Sequence, residues 1–173
     1  MQRIFELFEK HGADDYIGEN ITQLEHAIQC AMLIEADYPA DREFILAGLL
    51  HDIGHLLQKQ AAMGSVGVAH HESLGSAFLL ENGFSERIVC LVRNHVNAKR
   101  YIVAQNYRYY EQLSDASKQT LHYQGGVMGK KEMHDFEQDP YFSDSLKLRY
   151  YDDRAKVPHL RLKPLSYYLN IQG

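Results

Sequence analysis

Apolar residues recur at spacings of three and four along almost the whole chain, and no convincing two-residue alternation interrupts them, so the pattern predicts helices throughout. Ile4, Phe5 and Phe8 open a short helix that ends near Gly12, followed by an irregular stretch, ADDYIGEN. Thr22 starts a second helix with Glu25 three residues on, the capping-box pattern, and this helix stops before Pro39. Asp41 is a good N-cap for a third, REFILAGLLHDIGHLL, which is apolar nearly all round from Phe44 to Leu50. Such a segment belongs at the centre of a helical bundle, and it carries the pair His51 and Asp52 within one predicted helix. Residues 59–69 (KQAAMGSVGVA) carry loop signals. A fourth helix, HESLGSAFLLENG, runs to Gly83, and Ser85 caps a fifth, SERIVCLVRNHV, that is expected to end at His95. Shorter helices follow, from Tyr101 to Tyr110, Ser114 to Tyr123, Lys130 to Gln138 and Phe142 to Lys156, and residues 157–173 read as a tail packed on the surface. The expectation is one all-α domain over 1–173, with its core at about 16–156.

Composition narrows the class. Apolar residues make up 45% and charged residues 24% of the 173 positions, the balance of a globular chain. The net charge of -5 leaves no basic stripe for a phosphate backbone, so nucleic-acid binding is disfavoured. No segment approaches the roughly 20 apolar residues that would cross a bilayer. No signal-peptide core is evident, and a cytoplasmic location is the default expectation. The two cysteines, Cys30 and Cys90, sit in apolar helical runs and read as small buried hydrophobes rather than a disulfide.

Ten histidines is high for this length. An ionised Asp52 inside an apolar helix is costly unless it is paired or bound to metal. His51 and Asp52 point about 100° apart on one helix, and His55 returns to the face of His51. Alone, the dipeptide is best explained as a hydrogen-bonded structural histidine beside a capping aspartate. His26 in mid-helix, His71 at a helix start, His95 at a helix end and Asp152 in RYYDD each have an equally bland explanation. Together they are the supply that a bundle core needs for a metal centre, and imidazole with carboxylate and no thiolate suits iron, manganese, nickel or zinc. Asp52, with two oxygens, could bridge two ions.

The spread His26, His51-Asp52, His71, His95 and Asp152 resembles the HD-domain superfamily of metal-dependent phosphohydrolases and their oxygenase relatives, an all-helical fold. Three stretches, DDYIGENITQLEHAIQCA, HHESLGSAFLLENGFSERIVCLVRNHVNAKRYI and SDASKQTLHYQGG with LKLRYYDDRAKV, look like the PhnZ-type 1-hydroxyalkylphosphonate oxygenases. That resemblance implies a mixed-valence di-iron centre and cleavage of a carbon–phosphorus bond with O2. The substrate would be a small phosphonate such as 2-amino-1-hydroxyethylphosphonate, and the products inorganic phosphate and a carboxylate. Carried over by position, one iron would be held by His26, His51, Asp52 and Asp152, and the other by Asp52, His71 and His95. Lys99, His55, Ser117 and Thr120 would contact the phosphonate. Tyr16 and Glu19 match the family's mobile pair, in which the tyrosine occupies the open iron position at rest and the glutamate contacts it or the substrate's amine. The competing reading is an HD phosphohydrolase acting on a nucleotide or small phosphate ester, in which manganese or zinc would serve. A non-enzymatic binding module is disfavoured because every ligand position is filled. The group beyond C1 of the substrate (amino, trimethylammonium or none), the role of residues 59–69 at the pocket border and the oligomeric state stay open.

Overall fold

The computed structural model describes residues 1–16, 18–61 and 70–172. Its helices are α1 (Gln2–His11), α2 (Gln23–Asp37), α3 (Arg42–Leu50), α4 (Ile53–Ala61), α5 (His71–Glu81), α6 (Glu86–Gln105), α7 (Tyr107–Gln112), α8 (Asp115–Tyr123), α9 (Lys130–Glu137), α10 (Phe142–Arg154) and α11 (Leu165–Leu169). Among the described residues there is no strand, only an isolated bridge between Asp15 and Thr22 that closes the irregular stretch after α1. The fold is all-α.

The starts of these helices follow from their first residues. Thr22 and Glu25 form the reciprocal capping box of α2, Asp41 accepts from the Phe44 amide, and Ser85 and Ser114 cap α6 and α8. Helix α3 is buried at every position from Phe44 to Leu50 and packs against α2 and α6. One hydrophobic cluster joins it to Ile28 and Ile34 of α2, Leu79 of α5, Leu91 of α6 and Leu148 of α10. Full burial of each such side chain contributes about 1.5–3 kcal/mol. Cys30 and Cys90 are buried and free, as small hydrophobes would be.

The structure corrects four expectations. The central helix does not run through the His-Asp pair: α3 ends at Leu50, His51 and Asp52 form a turn, and α4 begins at Ile53. The His51 ring turns back to donate to the Gly48 carbonyl (2.8 Å), and the Asp52 carbonyl accepts from the His55 amide (2.9 Å), which starts the next helix. The turn also brings α4 against α5 with almost no clearance, since a Cβ on Gly54 would lie 1.9 Å from the His71 carbonyl oxygen. Second, α6 does not end at His95 but continues for ten more residues to Gln105, through the buried Ala98, Lys99 and Val103. Nothing between Ser85 and Gly125 is glycine or proline. The break falls instead at Asn106, whose side chain accepts from the Arg108 amide and caps α7. Third, residues 59–61 belong to α4, while the remainder of that expected loop lies outside the described residues. Fourth, the final segment is more than a surface tail. Tyr168 is fully buried in the main cluster, as are Ile4, Leu7 and Phe8 of α1, and its hydroxyl donates to Glu35 (2.9 Å).

Candidate metal centre and substrate cavity

Six residues from four helices and the α3–α4 turn converge at the centre of the bundle. His26 comes from α2, His51 and Asp52 from the turn, His71 from the first residue of α5, His95 from the middle of α6 and Asp152 from α10. His26, His51, His71, His95 and Asp152 are all buried.

Their donor atoms form two groups on either side of Asp52. In the first, His26 Nε2 is 3.1 Å from His51 Nε2 and 3.3 Å from Asp152 Oδ1. Asp52 Oδ2 is 3.7 Å from His26 Nε2 and 3.5 Å from His51 Nε2. In the second, His71 Nε2 and His95 Nε2 are 2.9 Å apart and each is 3.4 Å from Asp52 Oδ1. Bonds of about 2.1 Å to one ion would set adjacent donors roughly 3.0–3.4 Å apart, between the octahedral and tetrahedral limits. Both groups fall close to that spacing, so Asp52 presents one oxygen to each.

The outward-facing ring atoms decide what the inward ones can be. His26 Nδ1 faces the Ala155 carbonyl at 2.9 Å, His51 Nδ1 the Gly48 carbonyl at 2.8 Å and His95 Nδ1 the Val92 carbonyl at 2.6 Å. A carbonyl only accepts, so each Nδ1 carries the proton and each neutral ring turns a bare Nε2 lone pair inward. Two such lone pairs about 3 Å apart repel unless a cation lies between them. Asp152 Oδ1, buried with no hydrogen-bond partner among the described residues, makes the same demand. Burial alone would raise both carboxylates, yet positive charge among the surrounding histidines holds Asp52 well below the usual carboxylate range, the charge that an ion would supply where the rings are neutral. Arg149 does the same for Asp152. Two buried carboxylates facing bare imidazole nitrogens fit a metal centre.

Above this centre lies a cavity of about 390 Å³. Asp52, His71 and His95 form part of its floor, whereas His26 and His51 do not reach it. All the other residues singled out from the sequence line it: Tyr16, Glu19, His55, Lys99, Ser117 and Thr120. His55 stacks on His71 with ring centroids 4.0 Å apart, and its Nε2 is 3.9 Å from Asp52 Oδ1. Burial and the neighbouring His71 push His55 down to about 3, so it is neutral. Lys99 is 3% exposed, one turn beyond His95, and donates to Thr120 Oγ1 at 3.0 Å. Burial, with Arg149 nearby, lowers its ammonium to about 7. Tyr16 stacks on His26 (4.0 Å, 17°) and bonds to Asp52, and burial beside the carboxylates Asp52 and Asp152 raises its phenol well above the usual value.

Two charged residues of the cavity lining went unrecognised in the sequence. Arg149 is buried and bonds to Asp152 Oδ2 (2.8 Å), to Asp153 and to the Tyr109 hydroxyl (3.0 Å), which in turn donates to Asp153 (2.6 Å). Lys156 donates to Glu19 Oε1 at 2.9 Å and stands 3.4 Å from the hydroxyls of Ser114 and Ser117. Their spacing was the available signal, since Arg149 is one turn before Asp152 and Lys156 four residues after it.

Comparison with known proteins fits this arrangement. The profile of the myo-inositol oxygenase family matches residues 8–125. The chain belongs to that family. It is an enzyme of the non-haem iron oxygenase class, and its His/Asp groups suit iron. Relatives include an uncharacterized protein of Acanthamoeba polyphaga mimivirus, 47% identical over 97% of this chain and 78% of the relative. A hydroxymethylphosphonate dioxygenase of Gimesia maris is 39% identical over 95% of this chain and 82% of the relative. A [1-hydroxy-2-(trimethylamino)ethyl]phosphonate dioxygenase (glycine-betaine-forming) of Leisingera caerulea is 37% identical over 87% and 76%. Among the described residues, no helix is long and apolar enough to cross a membrane.

Proposed function

We propose that this family member is a di-iron oxygenase on an HD-type bundle that uses O2 to split the carbon–phosphorus bond of a small 1-hydroxyalkylphosphonate. The observation that carries the reading is Asp52, whose two oxygens face two separate donor groups: both histidines of one, His71 and His95, line a cavity with buried cations, whereas His26 and His51 of the other do not reach it. One iron would be held by His26, His51, Asp52 and Asp152. The other would be held by Asp52, His71 and His95, with fewer protein donors and access to the cavity. Bound there, the irons supply O2 activation and chelation of the substrate's hydroxyl and phosphonate oxygens. The names of the Gimesia and Leisingera relatives supply the phosphonate class.

The protein's own contribution is orientation and charge. Lys99 and Arg149 neutralise the phosphonate dianion in a cavity where burial strengthens both interactions. Thr120, held by Lys99, and Ser117 offer hydroxyls on the same helix α8. Neutral His55, fixed by its stack on His71, donates a single N–H to the same group. Tyr16, bonded to Asp52, covers the centre until the substrate displaces it. The balance closes with O2 alone: the phosphonate and one O2 give a carboxylate, hydrogen phosphate and one proton, with one added oxygen in each product.

The test is phosphate release from hydroxymethylphosphonate by iron-reconstituted protein in air and under nitrogen, with O2 uptake recorded. Phosphate that appears only in air, in step with O2 uptake, is expected. Phosphate from phosphate esters under nitrogen without O2 uptake would refute the oxygenase and point to a manganese- or zinc-dependent phosphohydrolase.

A further inference from the structure

His26, His51 and His95 each rest their outer ring nitrogen on a backbone carbonyl, and His71 is the exception. Its Nδ1 is buried with no hydrogen-bond partner among the described residues, and the same holds for Glu72 Oε2. These two atoms stand 3.6 Å apart, on side chains 3% and 15% exposed. That is about 0.6 Å beyond a normal N–H···O bond. The other carboxylate oxygen faces outward. Glu72 Oε1 accepts from the Ser73 hydroxyl at 3.3 Å and lies 3.6 Å from Nδ1 of the exposed His70. A carboxylate that only answered the dipole at the start of α5 would keep both oxygens in water, whereas this one turns an oxygen inward to a ligand ring.

The His71 ring is held from its other sides. It stacks on His55 with centroids 4.0 Å apart, and its own carbonyl oxygen lies against Gly54, where a Cβ would sit 1.9 Å away. Its Nε2 is 2.9 Å from His95 Nε2 and 3.4 Å from Asp52 Oδ1. His95 carries its proton on Nδ1, which donates to Val92, so the 2.9 Å contact is a bond only if His71 Nε2 brings the proton. Nδ1 of His71 is then bare and opposes Oε2, and two acceptors keep apart. When an ion takes the place of that proton, the neutral ring carries its hydrogen on Nδ1, and the same two atoms become donor and acceptor. Closing the gap falls to Glu72, whose side chain turns about several bonds while the ring and its backbone stay fixed.

On the two-ion centre proposed above, and independently of its phosphonate chemistry, we propose that Glu72 is a positioning residue: it accepts a hydrogen bond from Nδ1 of metal-bound His71, fixes that ring and adds charge to the half of the centre that faces the cavity. That half offers Asp52, His71 and His95, whereas the other offers Asp52, Asp152, His26 and His51. A carboxylate acceptor makes an imidazole a stronger donor than a carbonyl does, so Glu72 offsets part of that deficit. Without it, the ligating ring would keep a buried N–H unpaired.

The test titrates the metal-free full chain with cobalt(II), whose paramagnetism also moves the ring N–H protons of bound histidines out of the crowded proton spectrum. Wild type is expected to take two ions per chain. Glu72→Gln keeps the size of the side chain and loses its charge, and should weaken the second ion about 10–100-fold while the first binds as before. In the fully loaded variant the His71 N–H signal, assigned by its loss in His71→Asn, should move while those of His26, His51 and His95 stay. Neither readout needs turnover. If both ions weaken together, or the second weakens with no N–H signal displaced, Glu72 acts only through the fold and the proposal is overturned. If titration and spectrum both match wild type, Glu72 has no part in the centre, although the centre itself stands. Wild type that takes one ion or none removes the two-ion centre and the proposal with it.

Discussion

Gly54→Ala tests whether the close crossing of α4 and α5 builds the second half of the metal centre. The added Cβ would meet the His71 carbonyl oxygen at 1.9 Å, whereas ordinary contact begins at 3.4 Å, so the two backbones must part by about 1.5 Å. The His71 Nε2 to Asp52 Oδ1 distance, now 3.4 Å, would grow to about 4.9 Å if the shift lay along that line. Two donors on one ion with bonds of about 2.1 Å can be no more than about 4.2 Å apart, so His71 and Asp52 would no longer share an ion. Stability changes less. Overpacking costs about 1–3 kcal/mol, and the better helix propensity of alanine returns up to about 1 kcal/mol. At about 2–4 °C per kcal/mol for a chain of this size, the melting point should fall by less than about 10 °C. Metal analysis after iron reconstitution, with circular dichroism to follow folding, separates the two effects. The expected result is a folded protein with about one iron per chain in place of two and at least a hundredfold slower O2-dependent turnover. A variant that keeps two irons and wild-type turnover would refute the claim that this crossing sets the donor spacing.

Three further outcomes are expected. Lys99→Met replaces a buried ammonium with a thioether of similar length, so iron content and melting point should hold while KM for the phosphonate rises at least tenfold, read from steady-state kinetics. Asp41→Ala removes both the cap of α3 and the paired bonds to Arg87 at 2.7 and 2.8 Å, and should cost about 2 kcal/mol in urea unfolding. Asp41 and Asp144 are both depressed, Asp41 chiefly by its bonds from Arg87 and Asp144 by Lys147 and Arg87 against burial. Their contribution is therefore fully present above the unfolded carboxylate pKa near 4 and is lost as pH falls through the lower folded values, so acid unfolding of the variant should show a shallower limb below pH 4. Tyr168→Phe loses one bond to Glu35, worth about 1 kcal/mol, whereas Tyr168→Ala empties a fully buried site and should cost about 3–5 kcal/mol, measured by thermal or urea unfolding.

The longer helices α2 and α6 and the central α3 were legible because each begins on a residue that caps and continues on an apolar pattern, as Thr22 with Glu25 and Asp41 with Phe44 show. The histidines and aspartates stood out because a bundle core seldom carries unpaired polar groups, and the six found in that way do converge. The interruption after Leu50 was not legible, because the neighbouring glycines, Gly48 and Gly54, lie inside α3 and α4 and not at the break. Its cause lies in a side-chain bond from His51 to Gly48 and in a contact between Gly54 and His71, seventeen positions apart. His95 was expected at a helix end, whereas tertiary burial of Ala98 and Lys99 carries α6 onward. Arg149 and Lys156 were overlooked since a charged residue beside aspartates on a helix reads as solvated surface. Only the third dimension shows Arg149 enclosed between Asp152, Asp153 and Tyr109.

The interruption also explains how one aspartate can face two donor groups. In an unbroken helix, Asp52 would project about 100° from His51 and share its neighbours on that side. With the chain turning at the pair, Asp52 is free of the ladder and stands between α2 and α10 on one side and α5 and α6 on the other. The cavity cations are then placed by the ligands themselves. Lys99 follows His95 by one turn of α6, Arg149 precedes Asp152 by one turn of α10, and Lys156 follows Asp152 by four residues. Helical rise thus fixes Lys99 relative to His95 and Arg149 relative to Asp152, so the turns of helix that carry the ligands also set where positive charge stands in the cavity.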